Sequence, residues 1–242
     1  MSLPDLIAPV RALVESALTL LHHLLVAAGL DPADGAVWLL SVALLVVGVR
    51  TALLPLAVHQ HRSALRMRAL APEAERLRQR YRGRTGPADR RRHAEELAAL
   101  HRRHGVRPLA SMLPLLVQVP LFLALVQALE HASHAAGTAA LGSFAVAVAF
   151  GAPLAATALT GGAPAAVVGG ALLAATALAQ VLTQHLAVVG TTAPGGRLLL
   201  LLPLLTAASG LLLPIGVTAY WACSATWTLG QQAVLRRVVR VA

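Results

Sequence analysis

One residue in this sequence carries a permanent charge inside an apolar run. Arg50 stands in Val47-Gly48-Val49-Arg50-Thr51-Ala52-Leu53-Leu54-Pro55-Leu56, and no other charge lies between Ala36 and Val58. A cation in the middle of a bilayer costs at least about 2.5–3.5 kcal/mol on insertion scales, so it calls for a wet cavity or a partner. About eight residues, roughly 12 Å of helix, separate it from the end of the run, a long way for a side chain to snorkel. No carboxylate lies within an apolar run to neutralise it. Glu130 stands at the end of one run, and the other nine acids lie outside them. An unneutralised guanidinium in a pocket attracts an anionic or polar group on whatever passes through. Gln118, Gln180, Gln184, Tyr220 and Trp221 are the polar or amphipathic residues placed to share that pocket, or else to make interhelical hydrogen bonds.

Other chemistries find little support. His59 with His61, and His101 with His104, have no adjacent acid, and His59 and His61 diverge on a helix, so no metal site is expected. The single cysteine, Cys223, cannot form an intrachain disulfide and reads as packing. There is no nucleophile elbow, phosphate-binding glycine loop or acid pair within an apolar run. We therefore expect neither an enzyme nor a cofactor.

The elements that hold these residues follow from composition. The chain is 57% apolar and 12% charged, with mean hydropathy +0.70, too little charge for a water-facing surface. Its apolar residues run on continuously instead of recurring with a soluble period. Measured against a bilayer core of about 30 Å, which takes roughly 20 residues of helix, they divide into five expected spans: 36–58, 109–129, 163–186, 198–213 and 215–235. Residues 1–35 read as an external, interfacial amphipathic segment, because Arg11, Glu15, His22 and His23 interrupt its apolar spacing. A sixth span is the alternative there. The opening thirty residues do not read as a cleaved signal. Residues 130–162 form an external loop in which Phe144 to Leu159, broken by Gly151 and Pro153, is expected to lie on the membrane.

All 20 basic residues are arginine, and fourteen of them fall between Val58 and Pro108. That clustering between apolar runs indicates a membrane protein and no specific nucleic acid as partner. Segment 59–108 reads as a basic helical hairpin, with Leu65, Leu70 and Leu77 before the turn signal Gly83-Arg84-Thr85-Gly86-Pro87, and Leu97 and Leu100 after it. The remaining arginine-bearing loops, 187–197 with Arg197 and the short tail 236–242 with Arg236, Arg237 and Arg240, fall on the same side. Positively charged loops stay in the cytoplasm, so the expected topology has the N-terminus outside and the C-terminus inside.

The order of these pieces resembles the YidC/Oxa/Alb membrane insertases. The resemblance rests on three stretches: Val49-Arg50 through Leu54-Pro55-Leu56 with Gln60, Ser63, Met67, Leu70 and Pro72; Gly105-Val106-Arg107-Pro108-Leu109 followed by Leu113-Pro114 and Gln118-Val119-Pro120-Leu121-Phe122; and Leu213-Pro214, Tyr220-Trp221 and Gln231-Gln232. It covers roughly Trp38 to Val238. The chain departs from the family in having Arg107-Pro108 and Ala110-Ser111 where Asn-Pro and paired glycines are usual. It also lacks a large outer domain and a long basic tail. These features are similar to the compact Gram-positive or actinobacterial type.

The resemblance implies an all-α polytopic fold, with five transmembrane helices around a hydrophilic groove open to the cytoplasm and closed to the outside. It places Arg50 as the groove arginine, with Gln184, Tyr220 and Trp221 at family positions. It further implies a bacterial plasma-membrane protein that inserts nascent membrane proteins without nucleotide hydrolysis. Partners would be those nascent chains and the lipid bilayer, with the ribosome and Sec translocon as further candidates, and the chain itself a monomer. A transporter or channel for anionic solutes would also use an intramembrane arginine, but no inverted repeat is visible. A Sec-dependent assembly chaperone is the other alternative.

Overall fold

The apolar runs fold as helices, with Pro55 near the start of one and Pro214 just before another. The computed structural model describes residues 3–84, 86–105, 119–120, 122–129, 142–188 and 201–239. Its helices are α1 (Leu3–Ala27), α2 (Gly35–Ala52), α3 (Leu54–Arg80), α4 (Pro87–Arg103), α5 (Gly162–Val188), α6 (Leu202–Gly210) and α7 (Ile215–Val238), and residues 119–120 and 122–129 are also helical. The chain divides into two compact units, one of residues 1–52 and 118–233, the other of residues 53–117 and 234–242.

Among the described residues, three helical runs are long and apolar enough to cross a bilayer: Ala8–Ala27, Gly35–Ala52 and Gly162–Leu186. The first of these lies where an interfacial helix is expected from sequence. Its interrupting charges are paired, Arg11 with Glu15 at 3.6 Å one turn apart, which lowers the cost of burying either. Val14 and Leu18 enter the same core as Val42 and Val46 of α2, and His22 stacks on Trp38 with ring centroids 3.8 Å apart. Helix α2 stops at Ala52, short of Val58. Pro55 has no N–H to donate and its ring crowds the carbonyl four residues back, so α3 begins afresh at Leu54. The described helix of the expected span 198–213 has only nine residues, about 14 Å of rise, less than half a bilayer core.

The segment expected to lie on the membrane, Phe144 to Leu159, packs part of its length into the core. A 3₁₀ turn at Gly142–Phe144 leads into a two-stranded hairpin, β1 (Val148–Ala149) and β2 (Ala152–Pro153), with Val148 opposite Pro153 and Ala149 opposite Ala152. Phe144 is fully buried and meets Trp38 edge-on at 5.7 Å. Backbone carbonyls of the following loop accept from the first N–H groups of α7: Ile215 donates to Ala156 at 2.9 Å and Gly216 to Leu154 at 3.1 Å. These are donors that a helix start otherwise leaves without partners. Two glycines permit the close approach. A Cβ on Gly35 would come within 2.5 Å of the Val148 carbonyl carbon, and one on Gly216 within 2.5 Å of the Phe144 ring. Of the glycine pair in α5, Gly169 packs on Ala158 of this same loop, whereas Gly170 faces open space.

In the other unit, α3 and α4 flank a turn with Gly83 at φ +83°. Leu70 and Leu77 are buried, and Leu65, Leu97 and Leu100 are half-buried. Polar contacts close the hairpin: the Tyr81 hydroxyl donates to Glu96 at 2.8 Å, Arg80 lies 3.7 Å from the same carboxylate, and His104 reaches Glu73 at 3.8 Å. The hydrogen bond to Glu96 holds the Tyr81 phenol above the usual tyrosine range. A folded-state pKa raised in this way means that the contact is intact below the phenol's ordinary pKa and is lost as pH rises through the raised one. The expected result for Tyr81→Phe is loss of a phenol that titrates above the ordinary tyrosine range from the alkaline absorbance titration, with faster tryptic cleavage at Arg82 and Arg84 at neutral pH. Unchanged cleavage would show that the hydrogen bond does not hold the turn.

Candidate functional site

Arg50 occupies the last turn of α2, one turn beyond Val46, which with Trp38 and Val42 packs into the core. Its guanidinium opens onto a cleft lined by Val14 of α1, Leu45, Val46 and Val49 of α2, Leu125 of the helical stretch 122–129, and Tyr220 of α7. Nη2 donates to the Ser224 hydroxyl at 2.5 Å. Ser224 lies one turn beyond Tyr220, and both are nearly buried. No carboxylate of the described residues pairs with Arg50. The result is a charge fixed by one neutral hydroxyl against an apolar wall. A guanidinium has several donors in one plane, so the Nη2 contact to Ser224 is compatible with a second oxygen accepting from the same fork.

Helix α7 supplies the polar side of the bundle by its spacing. Tyr220, Ser224, Thr228 and Gln231 recur at four, four and three residues and so fall on one stripe. The Thr228 hydroxyl turns back to the Ser224 carbonyl at 2.8 Å, and Trp227 Nε1 donates to Gln231 at 3.1 Å. Ser224 is a functional candidate absent from the residues expected to share the pocket; the stripe marks it as one of four residues on a common face, and the contact with Arg50 singles it out.

Of the residues expected to share a pocket, the fold brings together Arg50 and Tyr220. Trp221 faces another way, tilted against Phe122 at 5.7 Å and close to Gly210 of α6, while Tyr220 stacks on the other reach of Phe122 at 6.1 Å. Gln180 and Gln184 are half-buried on α5 and do not line the cleft. The Gln184 carbonyl oxygen is buried with no hydrogen-bond partner among the described residues. Gln118 lies outside the described residues. No cluster of three or more histidine, cysteine or acidic side chains suited to a metal occurs among those described.

The sequence profile of the 60Kd inner membrane protein family matches residues 30–241, nearly the whole chain and every site residue named above except Val14. The chain belongs to the 60Kd inner membrane protein family. Relatives named Membrane protein insertase YidC agree with the match. One from Tropheryma whipplei (strain Twist) is 30% identical across 96% of this chain and 84% of its own length. Another, from Streptomyces avermitilis, is 31% identical across 84% of this chain and 52% of its own, and a third, from Bifidobacterium longum, is 33% identical across 60% of this chain and 43% of its own. The chain thus spans most of the first relative and about half the length of the other two. Within this 60Kd inner membrane protein family member, Val14 is notable because it lies ahead of the matched range and yet forms part of the cleft wall.

Proposed function

We propose that this chain is a membrane protein insertase and chaperone of the bacterial plasma membrane, acting on newly made membrane proteins through the cleft at Arg50. The observation that carries the reading is a guanidinium held by Ser224 on a cleft wall, with no carboxylate among the described residues to neutralise it, in a member of a family whose relatives carry the insertase name. Such a cation attracts acidic or polar groups of a substrate segment and lowers the cost of bringing them partway across. The substrate's own apolar helix then leaves the cleft for lipid, a transfer that the hydrophobic effect favours and that needs no nucleotide.

The topology we propose has five spans around a groove open to the cytoplasm, with the N-terminus outside and the C-terminus inside. The fourteen arginines between Val58 and Pro108, with Arg197 and the arginines of the tail, support that orientation. The basic hairpin rests on anionic headgroups, each nearby arginine contributing about 1 kcal/mol at the surface. Ribosome contact, if made, falls to this hairpin and the loop bearing Arg197. The protein acts as a monomer.

The direct test is insertion of a short single-span substrate with an acidic outer tail into liposomes with and without the purified protein. Protease protection of the tail that rises with protein content is the expected result. Protection equal to that in empty liposomes, with the protein folded, would overturn the reading in favour of a Sec-dependent chaperone or an anion transporter.

A further inference from the structure

The hairpin that seals against α2, α5 and α7 has a second face. Val146, Val148 and Phe150 are 72%, 47% and 78% exposed, and the intervening Ala147 and Ala149 are buried. Leu159 adds a fourth exposed side chain at 63%. A strand in water alternates apolar with polar, whereas this one is apolar on both faces. No Asp, Glu, Lys or Arg occurs from 131 to 162, and the hairpin 146–154 has no polar side chain.

The tip is also the wrong chemistry for a turn in water. Phe150 and Gly151 have φ +53° and +76°, the left-handed pair of a two-residue hairpin loop, where Asn-Gly or Asp-Gly is favoured. A bulky side chain at positive φ is disfavoured, and such strain persists where the surroundings hold it and marks a place to look for function. Here the surroundings are the Asp34–Val148 bridge, the close approach at Gly35, and Pro164 of α5 against Gly151. They carry the tip rigidly at the level where α2 and α5, both long enough to cross a bilayer, begin. The exposed apolar surface continues from the tip onto α5 at Val167 and along it to Leu178 and Leu182.

We infer that Phe150, flanked by Val146, Val148 and Leu159, is a rigid wedge seated among phospholipids at the headgroup–acyl boundary of the leaflet that meets this end of the bundle. The occupant is lipid because the patch runs on into the lipid-facing side of a spanning helix and carries no charge. Phe and aliphatic side chains on the apolar face of an interfacial segment bury at that depth. The wedge fixes the height of the bundle in the membrane, and with it the depth of the cleft. The inference rests on α2 and α5 as spans, and its test does not require insertion activity.

The experiment places an environment-sensitive fluorophore at Val146→Cys in a Cys223→Ala background, in phosphatidylethanolamine–phosphatidylglycerol liposomes containing nitroxide lipids labelled near the glycerol or near the chain end. Loss of emission with the shallow nitroxide, protection from aqueous iodide, and no change with protein-to-lipid ratio are expected. Adding Phe150→Asn, which suits the left-handed turn, should restore iodide quenching while leaving the melting temperature in detergent equal or higher. A label at Leu159→Cys supplies the same readings should the Val146 variant not fold. Quenching by iodide equal in liposomes and detergent would overturn the wedge. Protection that appears only at high protein-to-lipid ratio would replace lipid with a second copy of the chain.

Discussion

Arg50→Ala is expected to slow insertion of an acidic-tailed single-span substrate at least about tenfold, while a substrate with a neutral tail is inserted as by the parent. The magnitude follows from the chemistry lost: a hydrogen bond to a charged group contributes about 1.5–3 kcal/mol, and each 1.4 kcal/mol is about a factor of ten. Arg50→Lys keeps the charge but loses the planar fork that can hold Ser224 and a carboxylate together, so an intermediate rate is expected. Arg50→Leu separates function from folding. Removing a desolvated cation that no described carboxylate neutralises relieves a cost of roughly 2.5–3.5 kcal/mol, and the Ser224 hydroxyl can turn to the carbonyl one turn back in its own helix. This variant should melt higher than the parent and insert acidic tails as poorly as Arg50→Ala. Equal rates for acidic and neutral tails in the parent would remove Arg50 from the mechanism. A lower melting point for Arg50→Leu would make the residue structural.

Gly35→Val is expected to destabilise the protein by about 3 kcal/mol or more, toward the upper end of overpacking effects. Its Cβ would meet the backbone of Val148 and Ala149 at 2.5–2.7 Å, and backbone cannot turn aside as a side chain can. To make room, β1 must leave Asp34, and the loop that follows it supplies the carbonyls capping the start of α7. Gly216→Ala presses only on the Phe144 ring, which can shift, so a smaller loss is expected. Gly48→Ala has open space on the same helix as Gly35, and should be neutral or stabilising by up to about 1 kcal/mol through helix propensity. Thermal melts in one detergent order the three variants. A Gly35→Val protein as stable as Gly48→Ala would mean that the hairpin does not hold the start of α2.

The sequence by itself determined the features that depend on local composition. Continuous apolar runs, a cluster of arginine between them and a lone cation at position 50 are all visible without coordinates, because each is a solvation cost assessed residue by residue. Tyr220 was likewise a candidate to share a pocket with Arg50, as a polar residue of the last apolar run, and both line the cleft. Only the tertiary structure decided the rest. The Arg50–Ser224 contact joins residues 174 positions apart, and no periodicity in either helix specifies which of the polar residues on α7 meets α2. Gln180 and Gln184 were candidates by position along a span, but a helix has several faces, and α5 packs Leu173 on Gly210 and Gly169 on Ala158, leaving both glutamines off the cleft. The hairpin at 148–153 was hidden because strand alternation is read as apolar against polar, and here both faces are apolar. Residues 1–35 read as interfacial because Arg11, Glu15, His22 and His23 interrupt the apolar spacing; the folded helix adds that Arg11 and Glu15 pair one turn apart. Solvation cost is local and additive enough to be read along a chain. Pairing offsets that cost, within one helix for Arg11 and Glu15 and between two for Arg50 and Ser224, and it exists only once the chain has folded.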